Sequence, residues 1–391
     1  MSAWSVLALA LALAVALPCA VLAIECLAAC LPARRRPEPP ARAPRTLVLV
    51  PAHDEEECLP DALRSIVPEL GSADRVLVVA HNCSDRTADV ARAGGADVVE
   101  VSDAGTGGKP DALRAGLAHL DRDPPEVVVI VDADCRVERG AIAALAAAAV
   151  RHGGPVQGDY RFAPRGEGTL GSVSSLALLV KNVVRPSGLA RLGLPCLING
   201  AGSAYPFEQL RHAPHGEGSI AEDYQLSIDL ALAGHPTRFV PEARVESALP
   251  VWRGAALRQR RRWEHGHLAL VLRSAPVLVL RGVLTARPAL IALGLDLVVP
   301  PLAFLVLGWT LAASGALADL AFTGQRASAW VALLSGALLV VSVLAGTVRF
   351  AGLRVAAGAL ASAPRYVLWK IPLYLGFFRR RETRWRKTER T

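Results

Sequence analysis

Charge is scarce in this chain: Asp, Glu, Lys and Arg make up 20% of its 391 residues, against 52% hydrophobic ones. Ordinary soluble domains carry about 25% charged residues, so the shortage excludes a wholly soluble protein and puts part of the chain in lipid. Lysine is scarcer still, with Lys109, Lys181, Lys370 and Lys387 the only four among 43 basic residues. That bias toward arginine is the compositional mark of a GC-rich bacterial genome. Cysteine shows no pattern. Cys19, Cys26 and Cys30 fall in one apolar run, and Cys58, Cys83, Cys135 and Cys196 lack C-x-x-C or histidine spacing. This excludes a zinc or dithiol motif and reads as reduced thiols in a cytoplasmic context. No internal repeat is present.

What the chain does have is apolar length. Ala3 to Leu31 carries only Glu25 and exceeds the ~20 residues that cross a hydrocarbon core. Pro32 and the cluster Arg34, Arg35, Arg36 follow, a basic end that stays cytoplasmic. Leu27-Ala28-Ala29-Cys30 resembles a lipoprotein cleavage box, but the run lacks the charged start of a signal peptide and is too long for one. Further spans are expected at Ala289 to Ala313, kinked at Pro300-Pro301, and at Ala329 to Val348. The loop between them holds only Asp319 and Arg326.

The tail from Arg379 has six arginines and one lysine against two glutamates, a net +5. Beside apolar segments that patch suits anionic lipid rather than nucleic acid. Ile371 to Phe378 reads as an interfacial helix. The expected organisation is therefore a transmembrane helix over 1–31, a basic linker over 32–45 and a cytoplasmic domain over 46–265. An interfacial segment over 266–288, two transmembrane helices over 289–350 and an interfacial helix with basic tail over 351–391 complete it.

The cytoplasmic region alternates strand and helix signals. Strands are expected at Thr46–Val50, Arg75–Ala80, Val98–Val101 and Val127–Val131, with helices at Glu56–Ile66, Ser84–Ala93, Pro110–Leu120 and Ile142–Val150. This predicts an α/β fold, a mostly parallel sheet with helices on both faces. The centre is V-V-V-I-V-D-A-D, a fully apolar strand ending in Asp132 and Asp134. Residues i and i+2 of a strand point the same way, and two adjacent carboxylates suit a hard divalent cation, Mg²⁺ or Mn²⁺.

Other strand ends are polar as well. The first ends in Ala52-His53-Asp54-Glu55 and the second in His81-Asn82-Cys83-Ser84-Asp85, with Ser84 expected as a helix cap. Gly105-Thr106-Gly107-Gly108-Lys109 opens a helix, a turn that lets backbone amides meet an anion. Taken singly, it reads equally well as a flexible turn with a solvated lysine.

Past Arg151 the pattern loosens. Leu197 to Tyr205 is rich in small residues and borders a second substrate or simply makes a tight loop. Glu222-Asp223 leads a helix from Gln225 to Ala233, which is also ordinary helix-start chemistry. Gln259, Arg262 and Trp263 lie at i, i+3 and i+4, on one helix face. His265 and His267 have poor spacing for a metal.

In order, P-A-H-D-E, G-G-K, D-A-D, E-D and Q-R-R-R-W resemble the membrane-bound family 2 glycosyltransferases, the group of cellulose, chitin and hyaluronan synthases, over about Thr46 to Trp263. The resemblance implies a GT-A fold in which Asp132 and Asp134 hold the metal on a nucleotide diphosphate. Asp223, beside Glu222, would be the base on the acceptor. Gln259, Arg262 and Trp263 would bind the diphosphate and acceptor end, and Ala52, Asp54, Glu55, Asp85, Lys109 and Asp132 the nucleotide-sugar donor.

His81 stands where such enzymes usually have aspartate. The implied partners are a nucleotide-sugar donor, a glycan or lipid acceptor and membrane lipids, at a multi-pass inner membrane location, with an oligomer or export partner left open. A nucleotidyltransferase, or a non-catalytic scaffold of the same fold, is the alternative.

Overall fold

The computed structural model describes residues 2–32, 42–103, 108–163, 169–214, 220–248 and 253–379. The expected Arg34–Arg36 cluster, Gly105-Thr106-Gly107 and the tail beyond Arg379 lie outside them. Two compact units are present. One contains Arg34–Arg165 and Leu194–Gln259, the other Met1–Ala33, Gly166–Gly193 and Arg260–Glu382.

The first unit is built on eight strands: β1 (Thr46–Ala52), β2 (Arg75–His81), β3 (Asp97–Val101), β4 (Val127–Ile130), β5 (Cys135–Val137), β6 (Val156–Ala163), β7 (Ser203–Pro206) and β8 (Arg238–Ala248). Their order is β3-β2-β1-β4-β7-β6-β8-β5. β1 pairs in parallel with β2 and β4, β2 with β3, and β6 with β8; β7 runs antiparallel to both neighbours and β5 antiparallel to β8. The expected parallel sheet is thus the first half of a mixed one.

Alternation along the strands sorts two cores. Val48, Val50, Val78 and Val129 pack with Leu59, Leu63, Ile142 and Leu145. Leu47, Leu49, Leu77, Val128 and Ile130 pack on the other face with Leu113, Leu117, Leu226 and Leu230. Each buried leucine contributes about 1.5–3 kcal/mol. The helix Lys109–Leu120 lies so close to its face that a Cβ on Gly116 would meet Leu49 at 2.7 Å and Val79 at 2.9 Å. Glycine there sets how near Lys109, at the same helix's start, comes to the strand ends.

The second unit is helical. Ala3–Ala28 packs against Leu302–Thr323 and Ala327–Ala351, joined by Cys19, Leu22 and Cys26 with Leu305 and Leu339. Among the described residues, four helices are long and apolar enough to cross a membrane: Ala3–Ala28, Gln259–Leu284, Leu302–Thr323 and Ala327–Ala351. The kinked span expected over 289–313 is two helices instead, Pro288–Val298 and Leu302–Thr323. Two consecutive prolines remove two backbone donors and stop the helix rather than bend it. Thr169–Leu179 runs into a π-helical turn, Val180–Val184, and then Arg185–Leu192. Ile371–Phe378 belongs to one long helix, Leu353–Arg379.

Several of the charged groups buried in this unit are matched. Arg185 donates from Nε to Glu25 at 2.5 Å and from its guanidinium to Asp296 at 2.6 Å. Asp319 accepts from Ser5, Thr323 and Ser328 at 2.6–2.9 Å. Gly188 lets its helix lie directly on the backbone of Glu25.

Candidate active site

The strand β4 stops at Ile130, one residue short of the expected end, and Asp132 and Asp134 lie in a turn closed by the Cys135 amide on the Asp132 carbonyl at 2.9 Å. The turn, not strand alternation, therefore brings the two carboxylates together. Asp132, Asp134 and Cys135 offer donor atoms within 4.8 Å of one another. Burial, with Asp134 and Asp132 alongside, pushes the Cys135 thiol well above its ordinary range, so it stays protonated and the donors on offer are hard carboxylate oxygens. Such carboxylate oxygens fit Mg²⁺ or Mn²⁺. Asp134 is fixed by the Ser247 hydroxyl of β8 at 3.0 Å.

Lys109 enters from the start of its helix. Its Nζ lies 2.9 Å from Asp132 Oδ1 and 3.2 Å from Asp223 Oδ1. Burial opposes its charge, but Asp132, Asp223 and Glu222 outweigh that and hold the ammonium well above the usual lysine range. Asp223 sits in the first turn of the helix Glu222–Ala233, beside Gly200, whose φ of 117° needs glycine. A Cβ on Gly200 would come within 3.5 Å of the Asp223 carboxylate. The loop holding Gly200 is pinned by Gln157 of β6, which accepts from the Asn199 amide at 2.9 Å and donates to the Ala201 carbonyl at 3.0 Å. Ser247 and Gln157 escape sequence reasoning because they act across the sheet, 113 and 42 residues from their partners.

The ends of β1 and β2 form a second polar group. Asp54, at φ 50°, accepts from the Ser84 amide at 2.6 Å, and the Glu55 amide donates to Thr87 at 2.8 Å. Asp85 accepts from the Thr87 amide and hydroxyl and from the Glu56 amide. Burial works against its charge, yet those bonds hold its carboxyl below the ordinary range. The helix starts at Thr87, so Asp85 and not Ser84 closes the turn before it. Ala52 ends β1 and is buried. His81 is buried too, its Nε2 3.2 Å from an Asp103 carboxylate oxygen. Gln259 lies within the helix Arg253–Arg273 in the sheet unit; Arg262 and Trp263 share that helix and belong to the helical unit.

A family model described as glycosyltransferase like family 2 matches residues 44–266, more than half of the chain. The chain belongs to that family. It is 27% identical over 244 residues to a probable glycosyltransferase of Bacillus subtilis, YdaM, the match covering 59% of this chain and 57% of that protein. The fold is similar to that of a mannosyltransferase from Pyrobaculum calidifontis solved with GDP-Man and Mn²⁺, at 22% identity and a TM-score of 0.53, over 92% of this chain and 99% of the other.

Proposed function

We propose that this family 2 glycosyltransferase is an inverting, metal-dependent enzyme that moves a sugar from a nucleotide diphosphate donor to a glycan or lipid acceptor at the cytoplasmic face of the inner membrane. The observation that carries the reading is Lys109 held between Asp132 and Asp223. The donor class is supported by the similarly folded mannosyltransferase, which was solved with GDP-Man and Mn²⁺.

Asp132 and Asp134 would hold Mg²⁺ or Mn²⁺, which when bound supplies fixed positive charge to the leaving diphosphate. Lys109 adds its own charge at the same place. Asp223 takes the proton of the acceptor hydroxyl, and Lys109 lies 3.2 Å from its carboxylate. Ala52, Asp54, Glu55 and Asp85 form the nucleotide side, where the interlocked ends of β1 and β2 make a rigid wall. Gln259, Arg262 and Trp263 serve the diphosphate and acceptor end, the role their motif has in polymer synthases.

A membrane location is supported by leucines left exposed on apolar helices, such as Leu11, Leu311 and Leu333. Three crossings, by residues 3–28, 302–323 and 327–351, keep Arg34–Arg36 and the basic tail on one side. Gln259–Leu284 contains Arg260, Arg261, Arg262, Arg273 and Arg281, and an interfacial position suits it better.

The test is incubation of purified membranes with radiolabelled nucleotide sugars and Mg²⁺ or Mn²⁺. Metal-dependent sugar transfer with release of a nucleoside diphosphate is expected. Release of pyrophosphate would favour a nucleotidyltransferase, and absence of metal-dependent nucleotide binding a scaffold.

A further inference from the structure

Lys109 sits where its own helix gives a cation no support. It is the first residue of Lys109–Leu120, directly after the cap Gly108. The positive end of a helix favours an anion and disfavours a cation. What holds the ammonium is the pair of carboxylates in front of it, Asp132 at 2.9 Å and Asp223 at 3.2 Å. The lysine side chain is 13% exposed and the carboxylates 30% and 28%, so the cation is set deeper than the groups that hold it.

Asp132 therefore answers to two cations. Its carboxylate meets the ammonium, and with Asp134 it also offers the hard oxygens that suit Mg²⁺ or Mn²⁺. A divalent ion and an ammonium on one carboxylate are like charges a few ångströms apart, and each opposes the other. Asp134 is tied to the Ser247 hydroxyl, whereas lysine carries its charge on a flexible stem and can move it. A diphosphate at the helix start is the stronger anion for that charge, since the helix end attracts it as well.

We propose that Lys109 is a gate that couples the two ligands of the site. It holds Asp132 against a metal ion that arrives alone, and yields it when a nucleotide diphosphate takes the ammonium. The move also draws Lys109 off Asp223, so the base opens to an acceptor only with a donor in place. The identity of both ligands rests on the functional reading above.

The experiment uses the full chain purified in a nonionic detergent. Free Mn²⁺ is followed by electron paramagnetic resonance, alone and with GDP, UDP, ADP or dTDP, and corrected for Mn²⁺–nucleotide complexes in solution. In the parent, nucleotide should tighten Mn²⁺ about tenfold or more. Lys109→Met and Lys109→Gln should each bind Mn²⁺ alone about tenfold tighter than the parent and gain little from nucleotide. An unfolded variant would lose Mn²⁺ rather than gain it. Lys109→Arg keeps the charge and should stay near the parent, while Asp132→Asn should lose Mn²⁺ with or without Lys109. Equal affinity for Mn²⁺ alone in the parent and both neutral variants, or an undiminished gain from nucleotide in those variants, overturns the gate and leaves metal-dependent transfer standing. A parent that binds no Mn²⁺ with any of the nucleotides overturns the functional reading, and the gate with it.

Discussion

Each unit places one cation between two carboxylates, and the two arrangements differ in kind. In the sheet unit Lys109 joins Asp132 and Asp223, whose side chains are 30% and 28% exposed. In the helical unit Arg185 joins Glu25 and Asp296, all three nearly sealed from solvent. Lysine is a compact charge on a flexible stem that can exchange partners, whereas the guanidinium fork fixes two acceptors at once. The open arrangement can trade its ammonium contacts for a metal or substrate. The sealed one ties the first helix to two others, because an unmatched carboxylate there would have no water to turn to.

Asp223→Asn should make the largest difference. Transfer is expected to fall about 10²–10⁴-fold, the usual worth of a general base, with nucleotide binding nearly intact by calorimetry; retained turnover would remove Asp223 from its role. Arg185→Met should cost about 3–5 kcal/mol by leaving two buried carboxylates unmatched, read as thermal unfolding in detergent, with Arg185→Lys losing less.

Lys109→Met sharpens the contrast. Because its two carboxylates keep access to water, it should shift unfolding less than Arg185→Met does, while transfer drops sharply. An unfolding penalty as large as that of Arg185→Met would erase the distinction between the two arrangements.

Ser247→Ala should weaken metal binding about tenfold by freeing Asp134, measured by Mn²⁺ titration of the purified protein. The smallest effect concerns Asp85, whose folded carboxyl lies below its ordinary range. Its contribution is present above the unfolded value of about 3.9 and is lost as pH falls through the lower folded value. Unfolding of Asp85→Asn should therefore differ from the parent at pH 6, with the difference shrinking as pH falls below the unfolded value.

Much of the sheet was legible because β1 to β4 are long, apolar and separated by amphipathic helices, so their periodicity is local. The second half was not. β5 and β7 are only three and four residues long, and their antiparallel pairings depend on partners far along the chain. The candidate site divides the same way. Asp132, Asp134, Lys109 and Asp223 stand out as residue types at element ends, whereas Ser247 and Gln157 look like ordinary strand residues until the sheet closes. His81 is buried at the end of β2, and no local signal shows that Asp103 lies against it.

The sequence by itself determined the family and most of the apolar helices, and singled out the carboxylates at element ends as candidates, since composition, periodicity and motif order are properties of the linear chain. Only the tertiary structure decided that Lys109 holds Asp132 and Asp223 together, that the acidic pair sits in a turn rather than on a strand, and that Pro300-Pro301 ends a helix. Those outcomes depend on which distant segments pack within a few ångströms of each other, and contact energies of that range are not written in neighbouring residues.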